Sequence, residues 1–430
     1  MDPLALRRRA GTPTGPGVKA VLPALRNRNY RLWLLGLSVA NVGTWMQRIA
    51  QDWLVLELTG RSGTALGLVT GVQFLPILLF GPVGGMLADR FPRRALLLWT
   101  QAAVGLCGLA LGTLVLSGGV QTWHVYLIAL MLGVANAVFQ PTVQAFVLEL
   151  VTREEVPSVV GLSGGSFHAA RLIGPGVAGA LIAVSDTGPV FLIAAATAIA
   201  PIVALVRMDP ARLHEVPADR GGSLSMLVAG VRYAMREPEI RVILGVTAFV
   251  GTFSANSPIT NALMATHEFG RGAREFGLLG SVTAIGSLVG AALAARRKSV
   301  SWRFVTASAT AFATVNLLSA FMPGYTAFAI ALVPVGLTQL TFITAANSSL
   351  QLGSAPEMRG RVMALFMVLT MGTTPVGAPL IGWIAQQAGA RTALVVSNLV
   401  ALLGIVVVLT LHLVAAPSRR APVAEPVEAK

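Results

Sequence analysis

The stretch "GGMLADRFPRRALL", residues 84–97, decides how the chain folds. An apolar run ends in it at Ala88, four of the next six residues are charged, and a second apolar run opens at Ala95. The runs on either side, about 64–88 and 95–117, are each long enough to cross a bilayer as a helix. The stretch therefore reads as a short basic turn between two membrane helices.

Working outward, the same alternation recurs along nearly the whole chain. Of 430 residues, 54% are hydrophobic and only 12% charged, too apolar for a soluble protein of ordinary surface. Spans are expected at about 31–57, 64–88, 95–117, 123–148, 158–184, 188–208, 239–263, 275–295, 301–321, 325–352, 361–386 and 392–414. The fold class is an all-α polytopic membrane protein of twelve transmembrane helices.

The formal charge of +14 would suit a nucleic-acid partner if it were gathered in one patch, but it is spread over alternate loops. One set holds Arg7, Arg8, Arg9 and Lys19, then Arg90, Arg93 and Arg94, Arg153, Arg207 to Arg241, Arg296, Arg297 and Lys298, and Arg359, Arg361, Arg419 and Arg420. The opposite loops hold Arg61, Arg271, Arg274 and Arg391. The positive-inside rule makes both termini cytoplasmic in a multi-pass protein of the cell membrane. The bilayer is the expected large partner, nucleic acid is excluded, and a monomer is expected. The apolar run after residues 1–30 is too long for a signal-peptide core. Cys107 is a lone intramembrane thiol, so no disulfide, metal site or cofactor is expected.

The longest basic break divides the spans six and six. Expected units are an N-tail 1–30, a bundle 31–208, a linker 209–238, a second bundle 239–414 and a C-tail 415–430. Within the linker, Ser223 to Met235 reads as an amphipathic surface helix. "GTW" at 43–45 is echoed by "GTF" at 251–253, and Glu154, Gly174 and Gly179 by Glu357, Gly377 and Gly382. These echoes indicate two pseudo-symmetric six-helix bundles with the working site at their interface.

The opening stretch resembles the signature of the major facilitator superfamily, Gly-x-Leu-Ala-Asp-Arg-x-Gly-Arg-Arg-x-x-Leu. Gly85, Leu87, Ala88, Asp89, Arg90, Arg93, Arg94 and Leu97 match in place, and Pro92 stands at the usual glycine. The resemblance implies a cytoplasmic latch. Gly85 allows close packing, Asp89 faces the positive N-terminal end of helix 11 near Arg361, and Arg93 and Glu149 complete the cluster. The second half has Ala295 at the aspartate's position.

Helix 5 carries "ARLIGPGVAGALI", residues 170–182, whose Gly174, Pro175 and Gly179 resemble the Gly-Pro-x-x-x-Gly element of the superfamily's antiporters. Stretches 43–60 and 133–162 resemble the branch that contains the enterobactin exporter and macrolide-efflux proteins. That branch implies proton-driven efflux of a small organic molecule such as a drug, siderophore or other natural product. Import by proton symport, and a sensor or assembly partner without turnover, are the alternatives.

The fold implied by the resemblance lines its cavity with helices 1, 4, 7 and 10, and their polar residues fall at helical spacing. Helix 1 offers Asn41, Thr44, Arg48 and Asp52 on one face with Gln51 beside them; helix 4 offers Asn136, Gln140 and Gln144. Helix 7 has Asn256, and helix 10 has Thr338, Gln339 and Asn347. Arg171 on helix 5 has no acid in its own span. Arg48 and Asp52 read as an ion pair and as the site of proton coupling, because the repeat places the neutral Asn256 and Thr260 opposite them. Burial and the neighbouring guanidinium act on that carboxyl in opposite directions, so its protonation depends on access of water and substrate. No nucleophile arrangement or phosphate-binding loop suggests catalysis.

Overall fold

The computed structural model describes residues 22–152, 154–214, 224–294, 297 and 300–415. Arg7, Arg8, Arg9, Lys19, Arg153, Arg220, Ser223, Ala295, Arg296, Lys298 and the tail from residue 416 lie outside the described residues. Twelve long helical segments follow one another: α1 (Arg28–Leu58), α2 (Gly63–Arg90), α3 (Arg93–Leu116), α4 (Thr122–Leu150), α5 (Val156–Val184) and α6 (Thr187–Arg207) make the first half. The second half has α7 (Pro238–Glu268), α8 (Ala273–Ala294), α9 (Trp302–Ser319), α10 (Tyr325–Gly353), α11 (Arg359–Ala388) and α12 (Ala390–Ala415).

Among the described residues, ten of these are long and apolar enough to cross a membrane. The two others are α1, which carries Asn41, Gln47, Arg48, Gln51 and Asp52, and α9, of 18 residues with Arg303 and Asn316 inside it. Polar residues lower their hydropathy without removing them from the bundle, since each packs on its neighbours: α1 on α5 and α6, and α9 on α10 and α12. The short helix Leu224–Arg236 in the linker packs on α11, where Gly230 lies against Arg361.

Short polar residues start the helices. The Ser62 hydroxyl accepts from the Ala65 amide, the Ser301 hydroxyl from Phe304, and Asp186 from Thr187, each satisfying an amide that the helix itself cannot. The α1–α2 turn needs two left-handed residues in succession, Gly60 at φ 62° and Arg61 at φ 65°. The second is unusual for a residue with a Cβ.

Three expected straight spans are interrupted, α6 by a single turn at Ala198 ahead of Pro201. In α7, wide turns at Val250–Ser254 and Met264–Glu268 replace i−4 bonds by i−5 ones: the Ala255 amide donates to Val250 O at 2.9 Å and Phe269 to Met264 O at 3.0 Å. Each wide turn consumes an extra residue for the same advance, so α7 runs to Glu268 rather than to 263. The α11 segment is interrupted at Gly372–Thr373, ahead of Pro375. The interruption seats against the first wide turn of α7: a Cβ on Gly251 would collide with Leu369 O, and one on Gly377 with Thr252 O.

The halves meet along two seams, α2 on α11 and α5 on α8. On α2, a Cβ at Gly63 would stand 2.7 Å from Gly382 O, one at Gly67 would collide with Ala378 O, and one at Gly71 would lie 3.0 Å from Pro379. On α5, Gly176 faces Ser281 and Gly179 faces Ala273 O. Near the other ends of the same helices, Gly81 and Gly85 on α2 and Gly161, Gly164 and Gly165 on α5 have nothing within 4 Å of such a Cβ. Both seams are therefore shut at the face of the α1–α2 turn and splayed at the opposite, basic face, leaving a cleft between the halves. Backbone contact this close requires glycine, and along these two seams, among the described residues, it occurs only on the shut side.

Candidate functional site

The cleft ends about halfway along the helices, and the intramembrane charges gather there. Side chains on a helix lean toward its N-terminus. Arg48 on α1 accordingly points back toward Trp45, whose ring centre lies 5.9 Å from its guanidinium carbon, and toward Phe74 of α2 at 5.2 Å. From α5, Arg171 reaches the same Trp45 ring at 5.5 Å and makes a long 3.4 Å contact to Gln339 Oε1 on α10, across the cleft. Trp45 is held from behind by Gly174, whose missing side chain lets the Trp45 Cβ come within 2.6 Å of a Cβ position. Phe167 meets the Trp45 ring edge-on at 5.8 Å.

The expected ion pair of Arg48 and Asp52 is a correction. Asp52 is 4% exposed on the same helix, yet the two side chains are not in ion-pair contact among the described residues. An acid pairs well with a base four residues later in a helix, and poorly in the reverse order found here, because both side chains lean toward the N-terminus: the long Arg48 points away from Asp52, and the short carboxylate cannot follow it. A lone charge near the bilayer centre costs at least about 2.5–3.5 kcal/mol, so wet surroundings and the aromatic faces must offset it at Arg48.

Other expected positions distribute differently. Gln51, 1% exposed, turns to α2 and donates to Gln73 Oε1 at 3.4 Å, so it packs between helices rather than lining the cleft. Asn256 is likewise a packing residue: it is buried, donates to Thr252 O at 2.7 Å and thereby satisfies a carbonyl freed by the wide turn. Asn41 is half-buried, and Thr44, Gln140 and Gln144 are exposed. Thr44 donates to Ala40 O, Asn136 to Leu132 O and Thr338 to Pro334 O, each along its own helix, while Asn347 accepts from Gln351. Gln339 alone among these spans the cleft to a charged partner on the other half.

At the basic face, Asp89 and Arg90 are exposed, and Arg93 pairs at 2.6 Å with Glu149 of α4 rather than with Asp89. Arg93 opens a new helix after the turn at Phe91–Pro92, so its spacing of four from Asp89 is not helical spacing. Gly85 packs on nothing in this state; its neighbour Gly84 makes the tight contact, against Ala137 of α4. On α5, Gly174 and Gly179 do pack closely, on α1 and α8, and the Pro175 carbonyl is what a Cβ on Gly277 would strike.

The sequence reading missed the shut end. There the Arg61 guanidinium donates to Thr266 O at 3.4 Å, and His267 Nε2 donates to Arg61 O at 2.7 Å, a carbonyl being able only to accept. The Gly63 amide donates to Gln386 Oε1 at 2.7 Å, and Ser281 donates to Leu172 O at 2.6 Å. Trp45 was findable, three residues before Arg48 on its face; Phe74 and the shut-end contacts join residues up to 323 apart and leave no local signal.

A family model described as Transmembrane secretion effector matches residues 20–428. The chain is 25% identical over 396 residues to the multidrug efflux pump Tap of Mycolicibacterium fortuitum, covering 88% of this chain and 94% of that one. It is 26% identical over 414 residues to the enterobactin exporter EntS of Salmonella choleraesuis strain SC-B67, covering 95% and 94%. A bacterial homologue of the iron transporter ferroportin, solved in an inward-facing state, shares the fold with a TM-score of 0.69 at 16% identity, covering 90% of this chain and 99% of that chain.

Proposed function

The chain belongs to the transmembrane secretion effector family of major facilitator transporters, and from that membership we propose that it exports a small organic molecule in exchange for protons. The basic face is cytoplasmic by the positive-inside rule, with both termini on that side and the cell membrane as the site of action. The cleft is then open to the cytoplasm and sealed outside, the state in which an exporter collects its load. The observation that carries this reading is the opposed behaviour of each seam, packed backbone to backbone at one end and empty at the other. Two halves with such seams exchange open ends by rocking about the fixed middle.

In the alternate state the basic ends of α2 and α11 close. Gly85 then accepts the close approach it lacks here, and Asp89 meets the N-terminal end of α11, with Arg90 and the Arg93–Glu149 pair bracing the turn. Gly174, Pro175 and Gly179 let α5 pivot on α1 and α8. Asp52 is the proton carrier: among the described residues it is the one acid set inside a span rather than at its end, and it sits a turn from Arg48 on the outer side. It takes a proton from outside and releases it inward as the halves reorient. The monomer is the working unit. Export over import is supported by the similarity to a multidrug efflux pump and an enterobactin exporter.

The test is untargeted metabolite profiling of the medium from cells with and without the gene, repeated with the proton gradient collapsed. A compound enriched in the medium only when gene and gradient are both present is the expected result. Accumulation inside gene-bearing cells instead would replace export by import.

A further inference from the structure

Charge is unevenly distributed around the middle of the membrane span, where the cleft ends. Arg48 and Arg171 approach one indole, Trp45, at 5.9 and 5.5 Å, from two different helices. Among the described residues neither is in ion-pair contact with a carboxylate. Asp52, one turn from Arg48 toward the sealed face, is the one acid among the described residues set inside a span; Glu57, Asp186, Glu268 and Glu275 lie at the sealed face, and Asp89, Glu149, Glu154 and Glu155 at the basic face. With Asp52 ionised the midpoint holds two positive charges against one negative. The polar contact of Arg171 is to a neutral amide at the long distance of 3.4 Å.

Aromatic faces stabilise guanidinium groups but do not neutralise them. An excess cation half-buried at the closed end of a cleft inside the membrane calls for an anion, and planar guanidinium groups match a carboxylate or other flat oxyanion through paired donors. Around them stand Trp45, Phe74 and Phe167, which offer flat apolar surface at the same level. We propose that Arg48 and Arg171, with Trp45 between them, form the substrate-binding site for an organic anion in which a carboxylate or phenolate is carried on an aromatic frame. The anion's oxygens bridge the two guanidinium groups, its ring lies along Trp45 and Phe167, and Gln339 completes the site from the second half.

This site rests on the transporter reading for its access route, but its chemistry is separately measurable. A monovalent anion brings the midpoint to neutrality when Asp52 is ionised, whereas the empty cleft with Asp52 protonated carries two positive charges. One anion outward for one proton inward therefore moves two charges per turnover, and an inside-negative potential drives both.

The full chain in phosphatidylcholine nanodiscs is titrated with three probes of one shape: 2-naphthoate, 2-naphthylmethanol and 2-naphthylmethylamine. Naphthoate is expected to bind about tenfold or more tighter than either of the others over empty nanodiscs. Arg171→Gln and Arg48→Gln each remove about tenfold of that preference, and Arg171→Lys, which keeps the charge but not the fork, retains part of it. Equal binding of the three probes, preference for the amine, or a naphthoate affinity unmoved by Arg171→Gln overturns the site; the wild-type comparison holds even if a variant fails to fold. Naphthoate preference without proton-dependent transport would sink the exporter reading and leave the site standing. Proton-driven export of an uncharged or cationic compound, with no naphthoate preference, would do the reverse.

Discussion

Helices α1 and α7 occupy equivalent places in the two halves and solve the same problem differently. The first is one unbroken helix of 31 residues carrying Arg48 and Asp52. The second is interrupted by two wide turns and offers Asn256 and Thr260 at the matching positions. Charge resides in the helix of the pair whose backbone is continuous, and backbone irregularity in the one that is neutral at this depth. Two carbonyls of the first wide turn in α7 accept side-chain amides, Thr252 O from Asn256 and Ser254 O from Asn316, while the Ser254 hydroxyl and the Asn316 amide both donate to Asn398 Oδ1 on α12. A charged side chain there would compete with those bonds. The contrast suggests a division of labour, with the first half sensing proton and substrate and the second supplying the deformable element.

The largest expected effect breaks that division directly. Asp52→Asn should lower export of the compound found by profiling by about a hundredfold or more while leaving expression and folding intact, because it deletes the proton-binding step itself. Thr260→Val at the matching position of α7 should stay within about twofold. Equal losses from both would mean the carboxyl is only a packing residue in a sensitive place.

Next comes the geometry that the halves share. Gly67→Leu drives a side chain into the Ala378 carbonyl on the sealed end of the α2–α11 seam. Overpacking of this kind costs about 1–3 kcal/mol, which shifts the balance between open ends by about 5–150-fold. With Cys107→Ala as background, a cysteine introduced by Gly165→Cys reports the splayed end. Its labelling by an impermeant maleimide from the basic side should slow correspondingly, and unchanged labelling would show that the seal does not set the state.

A smaller effect separates the buried polar contacts of the two halves. Asn398→Leu leaves Ser254 and Asn316 without the oxygen that both address, so a loss of about 1–3 kcal/mol is expected as a lowered thermal midpoint. Gln51→Leu in the first half removes one long bond and a buried oxygen that has no partner, so it should be near neutral. A similar drop in both would erase the proposed asymmetry in how the halves are held.

The fold was legible because its strongest signals are local. Span length, the alternation of basic loops and the spacing within "LADRFPRR" all lie in contiguous sequence, and the twelve segments follow them closely. The site was legible only along single helices. Arg48, Asp52 and Arg171 stood out because charge is rare inside a span, but the spacing of four that made Arg48 and Asp52 read as an ion pair does not produce one when the base precedes the acid. Trp45's place between two arginines depends on α1 and α5 meeting at Gly174, and no periodicity within one helix carries that. The wide turns of α7 were hidden because Ser254, Asn256 and Ser257 look the same whether they line a cleft or satisfy freed carbonyls.

The smallest effect concerns ion pairs outside the cleft, and it tests whether the first half relies on charge for stability as well as for transport. Arg93–Glu149 spans the basic end of the first half with side chains 9% and 20% exposed, and Arg391–Glu268 the sealed end of the second with 34% and 32%. Solvent screens the second pair more, and Arg391 keeps a separate bond to Ala320 O at 2.6 Å whatever happens to Glu268. Glu268→Gln should therefore cost about 0.2–1 kcal/mol, less in high salt. Glu149→Gln should cost more and depend less on salt, since it leaves Arg93 half-enclosed without its partner. A double-mutant cycle on each pair, read by thermal unfolding at low and high salt, gives the two coupling energies. Equal values would place the role of charge in the first half in the cleft alone.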